Sequence, residues 1–366
     1  MPVDRYQTLT NYRHPQDSNL LDVHRAMEYN TLGQPVIRTT SGAAPTANDA
    51  FGRLRVSTPF TLYDSFHRYR DNGKESVYTS GATSTSTHES FSSSVLMQVG
   101  TTLGDKVYRE TTRVFAYQPG KSLSVLTTFC MAPTKSGLRQ RVGYFDIQNG
   151  IFLQRLGTET SFIIRTSSIN GSIQETEKVV QSQWNIDTLD GTGTSTKILN
   201  LDLAQILFID VQWLGVGTSR VGFVIDGEFV PVHLFHHSNV IGNTTTYMGT
   251  ACLPVRTEIE NITATDSSST YRQICTSVIS EGGYELRGRP RSVGHAINSP
   301  RTNTNQQINV YFPVLSVRLK EGTDGAIVVP KNFSIAPTIA KNYSYRIVSG
   351  AITSGGTWVS AGDDSS

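Results

Sequence analysis

Between Ile206 and Val232 the chain reads ILFIDVQWLGVGTSRVGFVIDGEFVPV, with apolar positions recurring at every second residue. Ile206–Trp213 is an apolar run of strand length, and Gly215 and Gly217 interrupt it. Val221, Phe223 and Ile225 then share one face as far as Asp226-Gly227. That dipeptide signals a two-residue hairpin, because both central positions of a type I′ turn take φ > 0. Phe229–His233 returns. Three strands this dense in β-branched and aromatic residues predict a meander in the middle of an antiparallel sheet, with one face in a core.

The alternation continues on both sides. Val107–Tyr117 and Leu123–Met131 flank a Pro119-Gly120 turn, and a further hairpin is expected at Asn149-Gly150. Phe162–Thr166, Lys178–Gln183, Leu253–Ile262, Arg272–Ser280 and Ile308–Lys320 read as strands. Gln183–Ala204 reads as a turn-rich connection, and Ser80–Ser94 and the stretch after His233 read as loops. Past Gly322 the pattern loosens, leaving Ala326–Pro330 and Tyr343–Ala351 as strands of a partial C-terminal β element over residues 323–366. About a dozen strands joined by hairpins and long connections predict an all-β fold, an antiparallel jelly-roll β-sandwich over residues 71–322.

Residues 1–70 have another character. The first fifty are polar, and Thr39–Asp49 reads as linker. The scattered Tyr6, Tyr12, Leu20, Leu21, Val23, Met27 and Tyr29 suit an extended N-terminal arm that orders against a neighbouring subunit. After it, apolar and basic residues interleave, and Phe51, Arg53, Leu54, Arg55, Phe60 and Tyr63 are the expected docking residues.

Composition narrows the function classes. Of the 366 residues 17% are charged, against ~25% in an average soluble domain. The net charge of +2 supplies no field to recruit nucleic acid or an anionic membrane. Asp64 and Asp71 also interrupt the basic–aromatic run. Three cysteines, Cys130, Cys252 and Cys275, lack C-x-x-C spacing, so neither structural zinc nor a disulfide framework is expected. The N-terminus has no apolar signal region, and no stretch reaches the ~20 apolar residues of a membrane span. The reading is a soluble protein made in a reducing cytoplasm.

The block Trp184–His233, WNIDTLDGTGTSTKILNLDLAQILFIDVQWLGVGTSRVGFVIDGEFVPVH, resembles the jelly-roll sandwich of the concanavalin A-like lectin/glucanase superfamily. FGRLRVSTPFTLYDS, RQRVGYFDIQNGIFLQ, the QWLGVG and GFVIDG segments, LPVRTEIEN and SVISEGGYELRG resemble a family of uncharacterised virion structural proteins from tailed phages of cyanobacteria and other marine bacteria. The resemblance covers about residues 50–320. It implies a structural component of a phage particle (head, neck or tail fibre) present in repeated copies. The implied partners are other virion proteins and copies of itself as a homo-oligomer, and the implied localisation is the virion. It carries over no catalytic residues and no cofactor. Carbohydrate binding, lectin-like and directed at host surface glycan, is the alternative that the superfamily resemblance implies.

Each candidate for chemistry has a structural counter-reading. Glycoside hydrolysis needs two carboxylates ~5–5.5 Å apart for retention. The glucanases of the resembled superfamily carry them as Glu-x-Asp-x-x-Glu, whereas here Glu258-Ile259-Glu260 lacks a third acid and reads as the solvent face of a strand. The expectation is no enzyme. His233, His236 and His237 cluster without an evident third ligand for a metal, and no metal is expected. Asp226-Gly227 lacks the alternating acids of a calcium loop, and the Leu214–Gly217 glycines lack the helix of a dinucleotide loop. Trp184 and Trp213 are the candidate glycan contacts, with core packing as the competing role.

Overall fold

The structure is a computed structural model that describes residues 59–285 except 72, together with residues 28–29, 35–36, 292, 294, 314–318, 328–335 and 344–348. In the unit formed by residues 1–45, strands β1 (Glu28–Tyr29) and β2 (Pro35–Val36) pair antiparallel. In the second unit the strands are β3 (Phe60–Phe66), β4 (Glu75–Ser80), β5 (Thr85–Glu89), β6 (Ser94–Val99), β7 (Lys106–Thr111), β8 (Ser122–Cys130), β9 (Leu138–Phe145), β10 (Gly150–Leu156), β11 (Glu159–Thr166), β12 (Gln174–Val180), β13 (Gln205–Val211), β14 (Ser219–Ile225), β15 (Glu228–Phe235), β16 (Val255–Asn261) and β17 (Ser269–Glu281). A single 3₁₀ turn, Gln181–Gln183, is the only helical element among the described residues.

These strands make two antiparallel sheets. One has seven strands in the order β12-β11-β10-β9-β16-β7-β4, and the other runs β15-β14-β13-β8-β17-β6-β5. Strand β3 adds to β17 beside β6, so the 13-residue β17 pairs with β6 over its first half and with β3 over its second. The chain passes repeatedly from one sheet to the other, the topology of an antiparallel jelly-roll sandwich.

The core is the sum of the inner faces. Val142 and Tyr144 on β9, Ile151 and Leu153 on β10, Phe162 and Ile164 on β11 and Ile259 on β16 point inward from the seven-stranded sheet. Val125 and Phe129 on β8, Leu207, Ile209 and Val211 on β13, and Val221 and Phe223 on β14 meet them from the other. The period of two puts these residues on one face, and each full burial contributes about 1.5–3 kcal/mol.

The meander lies at a flank of its sheet rather than in the middle, with β15 as the edge strand. Its hairpins set its own three-strand order, but the sheet centre is the β8–β17 pair, made of segments distant in sequence. The Asp226-Gly227 turn is as expected, with φ of 54° and 80°. The Asn149-Gly150 hairpin forms with its loop displaced: Gly150 already pairs with Phe145, and residues 146–149 make the turn. Asp146 Oδ1 accepts the backbone N–H groups of Gln148 and Asn149, which fixes that longer loop. Pro119-Gly120 does not join a hairpin, because β7 and β8 belong to different sheets. The expected Ser80–Ser94 loop contains β5, whose short, half-exposed run of Thr, Ser and His is held by pairing with β6.

The limits of the sandwich also move. Residues 60–66 of the expected arm form β3, and Leu62 and Tyr63 join the core. The described parts of the expected strands Ile308–Lys320, Ala326–Pro330 and Tyr343–Ala351, namely residues 314–318, 328–330 and 344–348, are exposed and carry no strand. An alternating run becomes a strand only where a partner edge and a face to cover exist.

Candidate functional site

The outer face of the seven-stranded sheet carries the densest chemistry among the described residues. It begins with two missing side chains. Gly143 on β9 faces Phe152 on β10, and a Cβ at Gly143 would lie 2.6 Å from the Phe152 Cα. At Gly150, with φ of 144°, a Cβ would lie 2.1 Å from the Phe145 Cβ. The glycines therefore let the two phenylalanines lie across neighbouring strands, with ring centroids 4.5 Å apart. With Ile163 of β11 they form a small, fully buried apolar cluster separate from the main core.

Arginines form the roof of this cluster. The Arg165 guanidinium lies 5.1 Å from the Phe152 ring centre and 5.8 Å from that of Phe145, and Arg141 lies 5.2 Å from Phe152. Arg256 on β16 stacks 3.7 Å from the Tyr108 ring of β7. Such cation–π contacts hold a guanidinium plane in place and leave its edges free for hydrogen bonds.

Glu258 sits among them. It faces Arg141 on one neighbouring strand and Tyr108 on the other. Its carboxylate meets Arg256 at 2.8 Å, Lys106 at 3.4 Å and Arg141 at 3.6 Å. Burial alone would raise its pKa, but the charges of Lys106, Arg256 and Arg141 outweigh burial and hold it down to about 2. Glu260, two residues on and on the same face, pairs with Lys106 at 3.3 Å and with Arg139. A glycosidase acid must keep its proton near neutral pH, which requires a raised pKa. Glu258 has the opposite environment and is a fixed negative charge.

Over this layer lies a cavity of about 390 Å³ lined by Lys106, Arg141, Arg165, Gln174, Glu175, Arg256 and Glu258, with Ile147 and Ile173 at its sides. Glu175 of β12 reaches Arg165 at 2.9 Å and Arg141 at 3.3 Å. Four strands and the start of β12 thus bring fixed donors and acceptors around one open hollow.

The residues singled out from sequence go elsewhere. Trp184 is 4% exposed and packs against Phe162 of one sheet and Phe223 of the other, with centroids 5.2 and 6.4 Å away. It is a core residue and not a glycan platform. Trp213 is half-buried, donates from Nε1 to the Met248 carbonyl and meets Tyr117 edge-on. Tyr63 is buried against Phe115, which withdraws it from docking, whereas Phe60 is 48% exposed and stacks on Tyr284. Phe51, Arg53, Leu54 and Arg55 lie outside the described residues.

The three histidines have separate partners. His233 Nδ1 accepts the Asn185 N–H, and burial pulls its pKa down to about 4. His236 Nδ1 meets the Thr218 hydroxyl. His237 stacks on Tyr247 and bonds the Gly217 carbonyl. Cys130, Cys252 and Cys275 are free thiols, each half-buried.

Sequence reading missed Lys106, Arg141, Arg165 and Arg256. Alternation does place Arg139 and Arg141 in RQRVGYF, and Arg256, Glu258 and Glu260 in VRTEIEN, on the outer faces of their strands. There Arg141, Arg256 and Glu258 are buried within the charged layer, and Glu258 does not face solvent as expected. Alternation does not place β7, β16 and β9 side by side, and that adjacency makes the cluster.

The sandwich and its charged face define a jelly-roll domain with an open hollow on one sheet. Neither a protein-family model nor a curated protein matches the chain. Among solved structures it is similar to a protein of unknown function from Shewanella oneidensis, at 9% identity, covering 63% of this chain and 91% of that one with a TM-score of 0.39. It is similar to the Bacillus licheniformis β-glucanase at 11% identity, covering 59% and 97% with a TM-score of 0.36. It is also similar to the receptor binding domain of botulinum neurotoxin D at 10% identity, covering 62% of this chain and 50% of that one, with a TM-score of 0.36. The chain spans about half the length of the neurotoxin chains it matches. At these identities and superpositions the likenesses carry no functional argument.

Proposed function

We propose that this chain is a non-enzymatic recognition module that binds a saccharide in the hollow on the outer face of the seven-stranded sheet. The observation that carries this reading is the hollow itself, about 390 Å³ of open space ringed by fixed guanidinium and ammonium donors and carboxylate acceptors. A polyhydroxylated ligand uses such a rim directly, since every hydroxyl both donates and accepts. Glu258 and Glu260 are both held in ion pairs, with Lys106, Arg139, Arg141 and Arg256, which supports binding over hydrolysis. On a glycan array the protein is expected to retain at least one glycan at millimolar affinity or better. Ile173→Trp, which fills the mouth from an exposed position, should abolish that signal. A silent array would sink the reading.

A second reading, a repeated structural component of a tailed-phage particle, comes from the sequence resemblance of the blocks quoted above. Parts of two of those blocks lie side by side in the sandwich: Phe60, Thr61, Tyr63 and Asp64 pair with Ser280, Ile279, Val278 and Ser277, and Phe60 stacks on Tyr284 at 5.6 Å. The two readings are compatible, since a particle component can carry the host-glycan site. In this reading residues 1–59 tie copies to one another or to other virion proteins. Removing them should leave a folded sandwich that no longer oligomerises or enters particles, whereas removing residues 1–70 should also strip β3 and Tyr63 from the core and lower the melting temperature. Light scattering and particle incorporation decide it, and normal assembly without residues 1–59 refutes the role of the arm.

A further inference from the structure

The hollow on the seven-stranded sheet carries unbalanced charge. Lys106, Arg141, Arg165 and Arg256 face it together with Glu175 and Glu258, and behind them Glu110 pairs with Arg256 and Glu260 with Lys106 and Arg139, so five cations meet four carboxylates. Glu258 is already divided among three of these cations and Glu175 between two. Each guanidinium carries five N–H donors in a rigid fork, so these carboxylates do not saturate the set. Arg256 Nε is buried and meets no hydrogen-bond acceptor among the described residues. Burial, and then the charge of Arg139, pull the pKa of Arg141 down to about 10. A second observation is independent of charge. Ile147 and Ile173 stand at the mouth of the hollow, 69% and 52% exposed, as apolar surface bordering a cationic floor.

We infer that the hollow takes an acidic saccharide, whose carboxylate or sulfate group completes the guanidinium cluster while its ring carbons lie against Ile147 and Ile173. The inference rests on the saccharide reading above and specifies the class of sugar. The stacking of Arg141 and Arg165 on Phe152, and of Arg256 on Tyr108, sets the forks before a ligand arrives. Little side-chain entropy is then lost on binding, and the bonds formed are charge-assisted. A neutral sugar would leave the surplus cationic donors without a charged acceptor.

The test is calorimetric titration of the full chain at low salt with four probes: a glucose-terminated disaccharide, its glucuronate-terminated counterpart, its sulfated counterpart and an acidic peptide. The acidic sugars are expected to bind about tenfold or more tightly than the neutral one, the effect of one charge-assisted hydrogen bond. The gap should narrow in about 0.5 M salt, where the screening length is only a few ångströms. Preference for both acidic sugars assigns the site to negative charge of either source, and preference for one assigns it to that group. Lys106→Gln, at a partly exposed rim position, and Arg165→Gln should each reduce the preference. Circular dichroism verifies folding; should Arg165→Gln fail to fold, Lys106→Gln and the salt dependence still decide. Equal affinity for neutral and acidic sugars, lost in Ile173→Trp, would overturn the acidic class and leave the saccharide reading standing. No binding of any probe would overturn both. Tighter binding of an acidic peptide than of any sugar would overturn the inference in favour of a protein partner.

Discussion

Trp184→Ala is expected to lower folding stability by about 3–5 kcal/mol, the usual loss for an aromatic deleted from a packed interior. The indole is 4% exposed and packs against both Phe162 and Phe223, which come from opposite sheets with ring centroids 6.2 Å apart. Its removal leaves a void at the seam where the sheets meet, and the surrounding strands are hydrogen-bonded on both sides and cannot collapse into it. The Trp184 Nε1 makes no hydrogen bond among the described residues, so Trp184→Phe should retain most of the stability. Urea unfolding followed by circular dichroism measures both. A loss below about 1 kcal/mol for the alanine variant would show that the residue is not part of the core.

Arg109→Met should destabilise by a similar amount, about 3–5 kcal/mol, for a different reason. Arg109 occupies an inward position on β7, between Val107 and Thr111, and is 1% exposed. Its guanidinium donates to Glu75 Oε2 on β4 at 3.0 Å, to Gln273 Oε1 on β17 at 2.8 Å and to both Asp71 oxygens at 2.7 and 2.9 Å. One side chain thus joins the two sheets through charge-assisted bonds. Removing it strands Glu75, itself 1% exposed at the side chain, without its countercharge. The double variant Arg109→Met, Glu75→Leu should recover much of the loss, because the cost lies in an unpaired buried charge rather than in a missing attraction. A double variant as unstable as Arg109→Met alone would contradict that account.

The two variants also separate what local sequence reveals from what it does not. The Ile206–Val232 meander was legible because each contact within it is a hairpin contact, fixed by alternation and by Asp226-Gly227. The core faces of β9, β10 and β11 were legible for the same reason. An inward arginine is not legible: the alternation of Val107, Arg109 and Thr111 is that of an ordinary strand, and nothing local reveals that Glu75 and Gln273 meet it. Trp184 follows a 3₁₀ turn in a turn-rich connection, so no strand period assigned it a face. The cationic hollow was hidden in the same way, because its residues come from β7, β9, β11, β12 and β16, and the order of those strands is set by long-range pairing. The Asn149-Gly150 signal was overridden by side-chain chemistry. Asn149 is buried and its carboxamide holds Ser167 and Gly249, so the turn moved to the preceding residues.

The pairing of β8 with β17 has a consequence for biogenesis. Its registered partners lie about 150 residues apart, the kind of long loop closure that slows folding. A ribosome must therefore deliver nearly the whole sandwich before the sheet acquires its centre. Until then the nascent meander, already joined to β8 through β13, exposes an open hydrogen-bonding margin to every other copy emerging nearby. Any factor that delays release or shields that margin would raise the yield of native protein more than a gain in equilibrium stability would.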